Sequence, residues 1–139
     1  MGNSTVKKIL LFGFHDFASS LVVHKLMESA KALGIDVENV DKEDYLRPLG
    51  ILSGAVPANA PFANVMEEEY EGNELPVRML LFVGLSEKEL EQAMELCRQN
   101  GITREDLKAV LTPYNVAWTA ISLCQELIIE HAQMNPMKS

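Results

Sequence analysis

The sequence predicts one α/β domain, built as a four-stranded, mainly parallel sheet in the strand order 2-1-3-4 with helices on both faces. Two runs, residues 9–12 and 79–83, contain only apolar side chains, which is typical of central strands covered on both sides. A helical pattern and then a further strand pattern follow each run, and this alternation indicates an α/β fold. Right-handed crossovers from two parallel central strands would place the two long helices on opposite faces. A ferredoxin-like α+β fold with a mixed sheet is the alternative.

The first half of the chain reads as strand, helix, strand and helix. After the first strand, an apolar stripe at helical spacing ends at Gly34, because glycine commonly terminates helices. Residues 37–40 alternate apolar and polar side chains, which favours an edge strand with one face in water. Residues 42–54 are predicted to form a short helix that Asp41 caps and Pro48 makes irregular.

The second half repeats this order after a long connection. Residues 55–76 contain prolines and an acidic run but no strand or helix pattern, which is unusual within a compact domain. The helix after the third strand begins with a capping box formed by Ser86 and Glu89. Residues 107–111 are predicted to be the fourth strand, and Thr119 to cap the final helix.

The two halves, residues 6–54 and 77–134, also share short strings. Leu-Leu-Phe-Gly ends the first central strand, Leu-Leu-Phe-Val-Gly ends the second, and Gly-Ile follows each long helix. These similarities support an internal duplication within a single domain of 139 residues. The same strings arise in unrelated units, because core strands favour leucine and helix ends favour glycine. The sequence is compatible with both explanations.

Two stretches carry a resemblance to a known family. They are residues 48–54, Pro-Leu-Gly-Ile-Leu-Ser-Gly, and residues 107–115, Leu-Lys-Ala-Val-Leu-Thr-Pro-Tyr-Asn, which lead to Trp118 and Thr119. Over most of its length the chain resembles a bacterial family catalogued as domain of unknown function 3783. The resemblance implies a shared fold and a bacterial, cytoplasmic setting, but no activity. Similar sequences tend to carry glutamate where this chain has Ser122, so one hydrogen bond of a capping box is lost.

The charge of the chain argues against two classes of partner. Its net charge is −8 and its pI about 4.8, so it repels phosphate backbones and anionic membrane surfaces. We therefore expect neither a nucleic-acid partner nor a membrane partner. No apolar run reaches the roughly 18 residues of a transmembrane helix, and the first residues lack a signal or anchor pattern. A cytoplasmic protein is expected.

The sequence contains no recognisable motif for a cofactor or a metal. The two glycine-rich strings that cradle phosphate groups are absent, as is any metal-ligand spacing of histidines and cysteines. We therefore expect no cofactor and no metal. Cys97 and Cys124 lie on the apolar stripes of their helices, where a free thiol packs as a small apolar group. Neither is expected to act as a nucleophile.

The candidate site is predicted at the carboxyl ends of the strands, because open α/β sheets bind ligands there. In a parallel sheet, the loops after the first, third and fourth strands open on one edge. The candidate ligand-binding residues on these loops are Gly13, Phe14, His15, Asp16, Gly84, Ser86, Thr112, Asn115 and Trp118. His15 is the one weak catalytic candidate, since no nucleophile accompanies it. Structural roles compete, namely capping for Asp16, a turn for Thr112 and backbone hydrogen bonds for Asn115.

The missing catalytic constellation favours a small, non-catalytic binding or regulatory module, whose partner is a protein or a small molecule. The alternative is a small-molecule enzyme that uses His15 as acid or base in a crevice between the first and third strands. Ser86, or amides at a helix start, would then bind an anion beside it. The edge strand at 37–40 is a candidate homodimer contact.

Overall fold

The computed structural model describes residues 6–56 and 68–134, so residues 57–67 of the predicted connection lie outside the described part. The strands are Lys8–Phe12 (β1), Asp36–Asn39 (β2), Met79–Val83 (β3) and Leu107–Val110 (β4). The helices are Phe17–Lys31 (α1), Leu49–Ser53 (α2), Glu87–Gln99 (α3) and Ala120–Met134 (α4), with a 3-10 turn at Lys42–Asp44.

The four strands form one sheet in the order β2-β1-β3-β4, which is the predicted order. The outer pairs are parallel, but the two central strands are antiparallel, with Leu10 opposite Leu81. The prediction of a mainly parallel sheet is therefore wrong, and the sheet is mixed. Antiparallel pairs are only slightly more stable per residue than parallel ones. The apolar pattern of two central strands is therefore compatible with either direction.

The connection between β2 and β3 explains the reversal. The connection begins at the end of β2, beside the end of β1. Tyr70 lies near the other end of the connection, and its N–H donates to the carbonyl of Glu43 at 3.0 Å, so the chain is still close to the end of β2. The chain thus enters β3 at the edge where β1 ends, and Phe12 is paired with Met79. A strand that starts there can only run antiparallel to β1.

The helices cover both faces of the sheet, but not in the predicted way. α1 and α3 pack together on one face, and α2 and α4 contribute to the core on the other. The prediction that the two long helices lie on opposite faces is wrong, because right-handed crossovers that leave antiparallel central strands place both helices on the same face. The mixed sheet of the α+β alternative is found, but helices segregate to one side in that class and here they cover both faces.

The side chains of the central strands alternate between two cores. Ile9 and Leu11 of β1 face α1 and α3, while Leu10 and Phe12 face the opposite helices. Every residue of β3 is buried. The expectation that the apolar runs are strands covered on both sides is confirmed.

The two parallel strand pairs have corresponding registers. Lys8 is paired with Asp36 in the first pair, and Met79 is paired with Leu107 in the second. Each pair joins the first residue of a central strand to the first residue of an outer strand. The internal duplication itself stays a prediction.

Both predicted helix starts in the second half are confirmed. Ser86 Oγ accepts from the Glu89 N–H at 3.1 Å, and Glu89 Oε1 accepts from the Ser86 N–H at 2.9 Å, which completes the capping box of α3. Thr119 Oγ1 accepts from the Ser122 N–H at 3.1 Å at the start of α4. The hydroxyl groups of Thr119 and Ser122 are also within hydrogen-bond distance, at 3.2 Å.

The predicted helix at 42–54 is wrong in its extent. The chain forms the 3-10 turn and then α2, with Pro48 directly before the helix. Proline has no N–H to donate and disfavours helical conformation in the residue before it, so one continuous helix cannot form. Asp41 precedes the 3-10 turn, but its side chain caps none of the described backbone N–H groups.

Candidate functional site

The candidate residues lie at two opposite edges of the sheet, because the central strands are antiparallel. We call the edge where β1 and β2 end the β1 edge, and the edge where β3 and β4 end the β3 edge. Gly13, Phe14, His15 and Asp16 lie at the β1 edge, whereas Gly84, Ser86, Thr112, Asn115 and Trp118 lie beyond the ends of β3 and β4. The expectation of one shared edge is wrong.

His15 joins the end of β1 to the end of β2. Its Nε2 lies 2.8 Å from the carbonyl oxygen of Val40, so this nitrogen carries the proton and donates. Its Nδ1 lies 3.4 Å from Asn39 Nδ2. Both ring nitrogens therefore lie within hydrogen-bond distance of a protein group. The predicted crevice that combines His15 with Ser86 is wrong, since the two residues lie at opposite edges.

Gly13 and Tyr45 form a buried polar contact at the β1 edge. The Gly13 N–H donates to Tyr45 Oη at 2.9 Å, and Tyr45 donates to Glu74 Oε1 at 2.7 Å. Burial, and then the hydrogen bond to Glu74, raise the pKa of the Tyr45 phenol above its usual value. Tyr45 therefore remains a neutral donor, and Gly13 has a structural role.

Asp16 occupies the predicted N-cap position of α1. Its backbone carbonyl accepts from the Ser19 N–H at 3.1 Å, which is the first turn of the helix. Its side chain completes no cap hydrogen bond with the described backbone N–H groups, but the Ser19 hydroxyl in the first turn lowers the pKa of the Asp16 carboxyl.

An ion pair between Arg78 and Asp106 also lies at the β1 edge, and the sequence prediction missed it. Arg78 Nε donates to Asp106 Oδ1 at 2.8 Å, and Arg78 Nη2 donates to Asp106 Oδ2 at 2.7 Å. Burial opposes ionisation of Asp106, but the hydrogen bonds from Arg78 lower the pKa of this carboxyl. The same hydrogen bonds raise the pKa of Arg78. Both groups therefore stay charged at neutral pH.

The Arg78 guanidinium also connects three further elements. It donates to Ser19 Oγ in α1 and to the carbonyl of Gly101 after α3, each at 3.2 Å. Its Cζ lies 4.7 Å from the centroid of the Phe14 ring, which is buried. Phe14 is therefore a core residue whose ring stabilises the guanidinium by a cation–π contact. One guanidinium thus connects α1 and the end of α3 to the sheet.

Gly84 and Ser86 at the β3 edge have structural roles. Gly84 has a φ of +73°, and a Cβ atom there would lie 1.7 Å from the carbonyl oxygen of Val6. Ser86 is engaged in the capping box. Glu89 of that box also accepts from Lys7, and this hydrogen bond lowers the pKa of Glu89.

The loop after β4 is held by its own polar side chains. Asn115 Oδ1 accepts from the Thr112 N–H at 2.9 Å, and Asn115 Nδ2 donates to the carbonyl of Val110 at 3.1 Å. Thr112 Oγ1 accepts from the Tyr114 N–H at 3.1 Å. The predicted backbone role of Asn115 and turn role of Thr112 are confirmed. These bonds leave Tyr114 88% exposed and Trp118 37% exposed.

Helix α2 docks against this loop. The N–H groups of Leu49 and Gly50 donate to the carbonyls of Trp118 and Val116, each at 2.8 Å. A Cβ atom at Gly50 would lie 2.3 Å from Val116 Cγ2, so only glycine lets the two segments approach this closely. The two stretches that carry the family resemblance are therefore in direct contact.

Residues 78–134 match the family described as Domain of unknown function (DUF3783). This segment is similar to that family. The match runs from Arg78 through α4, so it includes both partners of the ion pair and the loop after β4. The resemblance inferred from the sequence is confirmed for these residues. No curated protein and no solved structure matches the chain.

Cys97 on α3 is buried, and so is Cys124 on α4. Burial raises the pKa of Cys97 to about 11 and also raises the pKa of Cys124. Both thiols are therefore protonated at neutral pH and are poor nucleophiles.

Within 6–56 and 68–134, no group of three or more His, Cys, Asp or Glu side chains is placed to hold a metal ion. In the same part of the chain, no helix is long and apolar enough to cross a membrane.

Proposed function

We propose that this chain is a non-catalytic binding module that holds a partner protein on the surface formed by Tyr114, Trp118 and Ile129, which we call the aromatic surface. The exposed aromatic pair on a loop with a fixed backbone carries this proposal. Aromatic side chains dominate the energy of protein interfaces, because they bury a large area at a small entropic cost.

The setting of Trp118 supports an interface. A groove of about 510 Å³ runs beside Trp118 along α4 to Ile129, which is 51% exposed. Polar side chains surround this apolar strip, namely Thr119, Ser122, Gln125 and Glu126. An apolar centre with a polar rim is the usual composition of a binding surface.

The backbone of the loop supports the proposal as well. The carbonyl of Trp118 is held by Leu49, and Asn115 closes the turn around Thr112. A surface whose backbone is fixed before binding loses little conformational entropy when the partner arrives. The aromatic surface is therefore organised in the free protein.

Other features favour a binding role over catalysis, and they favour a reducing compartment as the location of the protein. The side chains with catalytic potential, His15, Ser86 and Asn115, are engaged in hydrogen bonds that maintain the fold. Cys97 and Cys124 are unpaired, as is usual in the cytoplasm. We place the protein there, with neither nucleic acid nor membrane as partner.

Affinity capture followed by titration of the purified partner tests the proposal. We expect the double variant Tyr114→Ser, Trp118→Ala to bind the partner about 30-fold more weakly than the wild type, because truncation of aromatic anchors typically costs about 2 kcal/mol. The measurement is the dissociation constant, obtained by calorimetry.

Phe17→Ser is the matched control, since Phe17 is an aromatic residue that is 93% exposed on α1, on the other face of the sheet. We expect this variant to bind like the wild type. Equal losses in both variants, or unchanged binding in the double variant, would contradict a role for the aromatic surface.

A further inference from the structure

Two grooves occupy corresponding positions beside the outer strands. The first lies between α1 and β2, has a volume of about 590 Å³, and contains Met27 and Ile35. The second lies between α3 and β4, has a volume of about 450 Å³, and contains Met94 and Ile102. In each groove the isoleucine is buried and the methionine is partly exposed, so both have an apolar floor.

The two grooves differ in charge. Arg98, Arg104 and Lys108 line the α3–β4 groove, with Glu105 as the acidic side chain among its lining residues. The α1–β2 groove instead has Lys31 beside two carboxylates, Glu28 and Asp36. The α3–β4 groove is therefore locally positive, although the chain as a whole carries a net charge of −8. A local reversal of sign raises the concentration of anions at that position.

The cations of the α3–β4 groove differ in how they are held. Lys108 Nζ donates to the carbonyls of Thr103 and Asp106, each at 2.9 Å, which fixes its position and leaves a third N–H. Arg98 is paired with Glu95 at the surface. Arg104 forms no ion pair or hydrogen bond with the residues that the structure describes. A ligand can thus reach an ordered ammonium group and an unpaired guanidinium.

We propose that the α3–β4 groove binds a small organic anion. A phosphate or carboxylate group lies between Arg104 and Lys108, and the apolar part of the ligand covers Met94. Arginine is well suited to this role, because its fork of N–H groups matches the oxygens of both anions. The volume of the groove falls within the range of small-molecule sites.

This site is separate from the aromatic surface. Lys108 lies near the start of β4, at the β1 edge, whereas Tyr114 and Trp118 follow the end of β4. Loss of anion binding and loss of the protein partner are therefore independent results.

Titration of the uniformly 15N-labelled chain at low salt tests the ligand class. Phenyl phosphate and benzoate are the organic anions, inorganic phosphate is the head group alone, and benzyl alcohol is the neutral analogue. We expect amide shifts at 103–108, and at least one of the organic anions to bind about fivefold or more tightly than inorganic phosphate. Equal binding by benzyl alcohol would overturn the anionic part of the proposal, and equal binding by inorganic phosphate would overturn the apolar part. Shifts that lie elsewhere, or none with either organic anion, would overturn the site.

Arg104→Glu and Lys31→Glu separate the groove from the overall charge, because both substitutions change the net charge equally. We expect Arg104→Glu to weaken binding of the organic anion about tenfold. Lys31→Glu, in the α1–β2 groove, is expected to leave the dissociation constant within about twofold. The amide spectrum of each variant reports whether the fold is retained. Equal weakening by both variants would show an effect of net charge alone and overturn the proposal.

Discussion

Arg78→Ala is expected to lower the free energy of unfolding by about 3 kcal/mol, because it leaves the carboxylate of Asp106 buried without its partner. The guanidinium donates two hydrogen bonds to Asp106, and Asp106 also accepts from the Thr103 N–H at 2.8 Å. The substitution further removes the contacts with Ser19 and Gly101 that connect α1 and the end of α3 to the sheet. Urea unfolding, followed by circular dichroism, measures the change.

Two substitutions serve as controls for Arg78→Ala. Arg78→Lys keeps the charge but loses the two-pronged geometry, so we expect an intermediate loss. Arg47→Ala removes an exposed ion pair with Asp44, whose atoms lie 3.1 Å apart, and should change the free energy by no more than about 0.5 kcal/mol. A loss for Arg78→Ala no larger than that for Arg47→Ala would refute the structural role of the ion pair.

The pH dependence of the free energy of unfolding lost in Arg78→Ala identifies the cause of the loss. The pKa of Asp106 is lower in the folded protein than its ordinary value of 3.8, so folding favours the charged carboxyl. The ion pair therefore stabilises the fold fully above the unfolded pKa, and this contribution is lost as the pH falls through the folded pKa. The difference between wild type and Arg78→Ala should shrink below about pH 4. A constant difference from pH 7 to pH 3 would indicate packing alone.

Gly84→Ala is expected to destabilise the fold by about 3 kcal/mol or more. Two effects add, because the residue has a φ of +73° and because the new Cβ would lie 1.7 Å from the carbonyl oxygen of Val6. The first effect costs about 1 kcal/mol for a residue with a side chain. The second effect forces the backbone before β1 to move, since a carbonyl cannot yield as a flexible side chain does. Thermal and urea unfolding measure the loss.

Gly34→Ala separates the two effects. Gly34 has a φ of +74°, but a Cβ atom there would meet no atom within 4 Å. We expect this variant to lose about 1 kcal/mol, which is the backbone strain alone. Similar losses in Gly34→Ala and Gly84→Ala would contradict the close approach of Val6 to Gly84.

The strands and helix starts were predictable because their signals are local. A strand segment covered on both faces must be apolar at every position, and residues 9–12 in β1 and 79–83 in β3 are the two apolar runs of at least four residues in the sequence. The capping box at Ser86 needs a partner only three residues away. The irregularity around Pro48 was visible as well, although the sequence did not show that it ends the helix there.

The candidate site was predicted less well, because its members depend on strand direction. Gly13 and Gly84 end the two central strands, and a parallel sheet would have brought them together. The roles of Thr112 and Asn115 in the turn were visible as an alternative, since their hydrogen bonds span a few residues. The hydrogen bonds of Tyr45 were not predicted, because its partners lie about thirty residues away on either side.

The positions of Arg78 and Asp106 in the sequence contain a signal that predicts their ion pair. Each lies one residue before a strand, and β3 and β4 are parallel with Met79 paired to Leu107. In a parallel register of this kind the preceding residues are neighbours, so an opposite-charge pair there predicts an ion pair. The sequence prediction already held that these strands are parallel.

The sequence by itself determined the apolar central strands and the starts of α3 and α4, since apolar patterns and caps are local signals, and the predicted strand order was correct as well. Only the tertiary structure decided the direction of β3 relative to β1, and with it the face of each long helix and the separation of the candidate residues. The reason is physical. The apolar pattern of a strand is the same for either direction, and parallel and antiparallel pairs differ only slightly in stability, so the direction depends on the path of the long connection that leads into the strand.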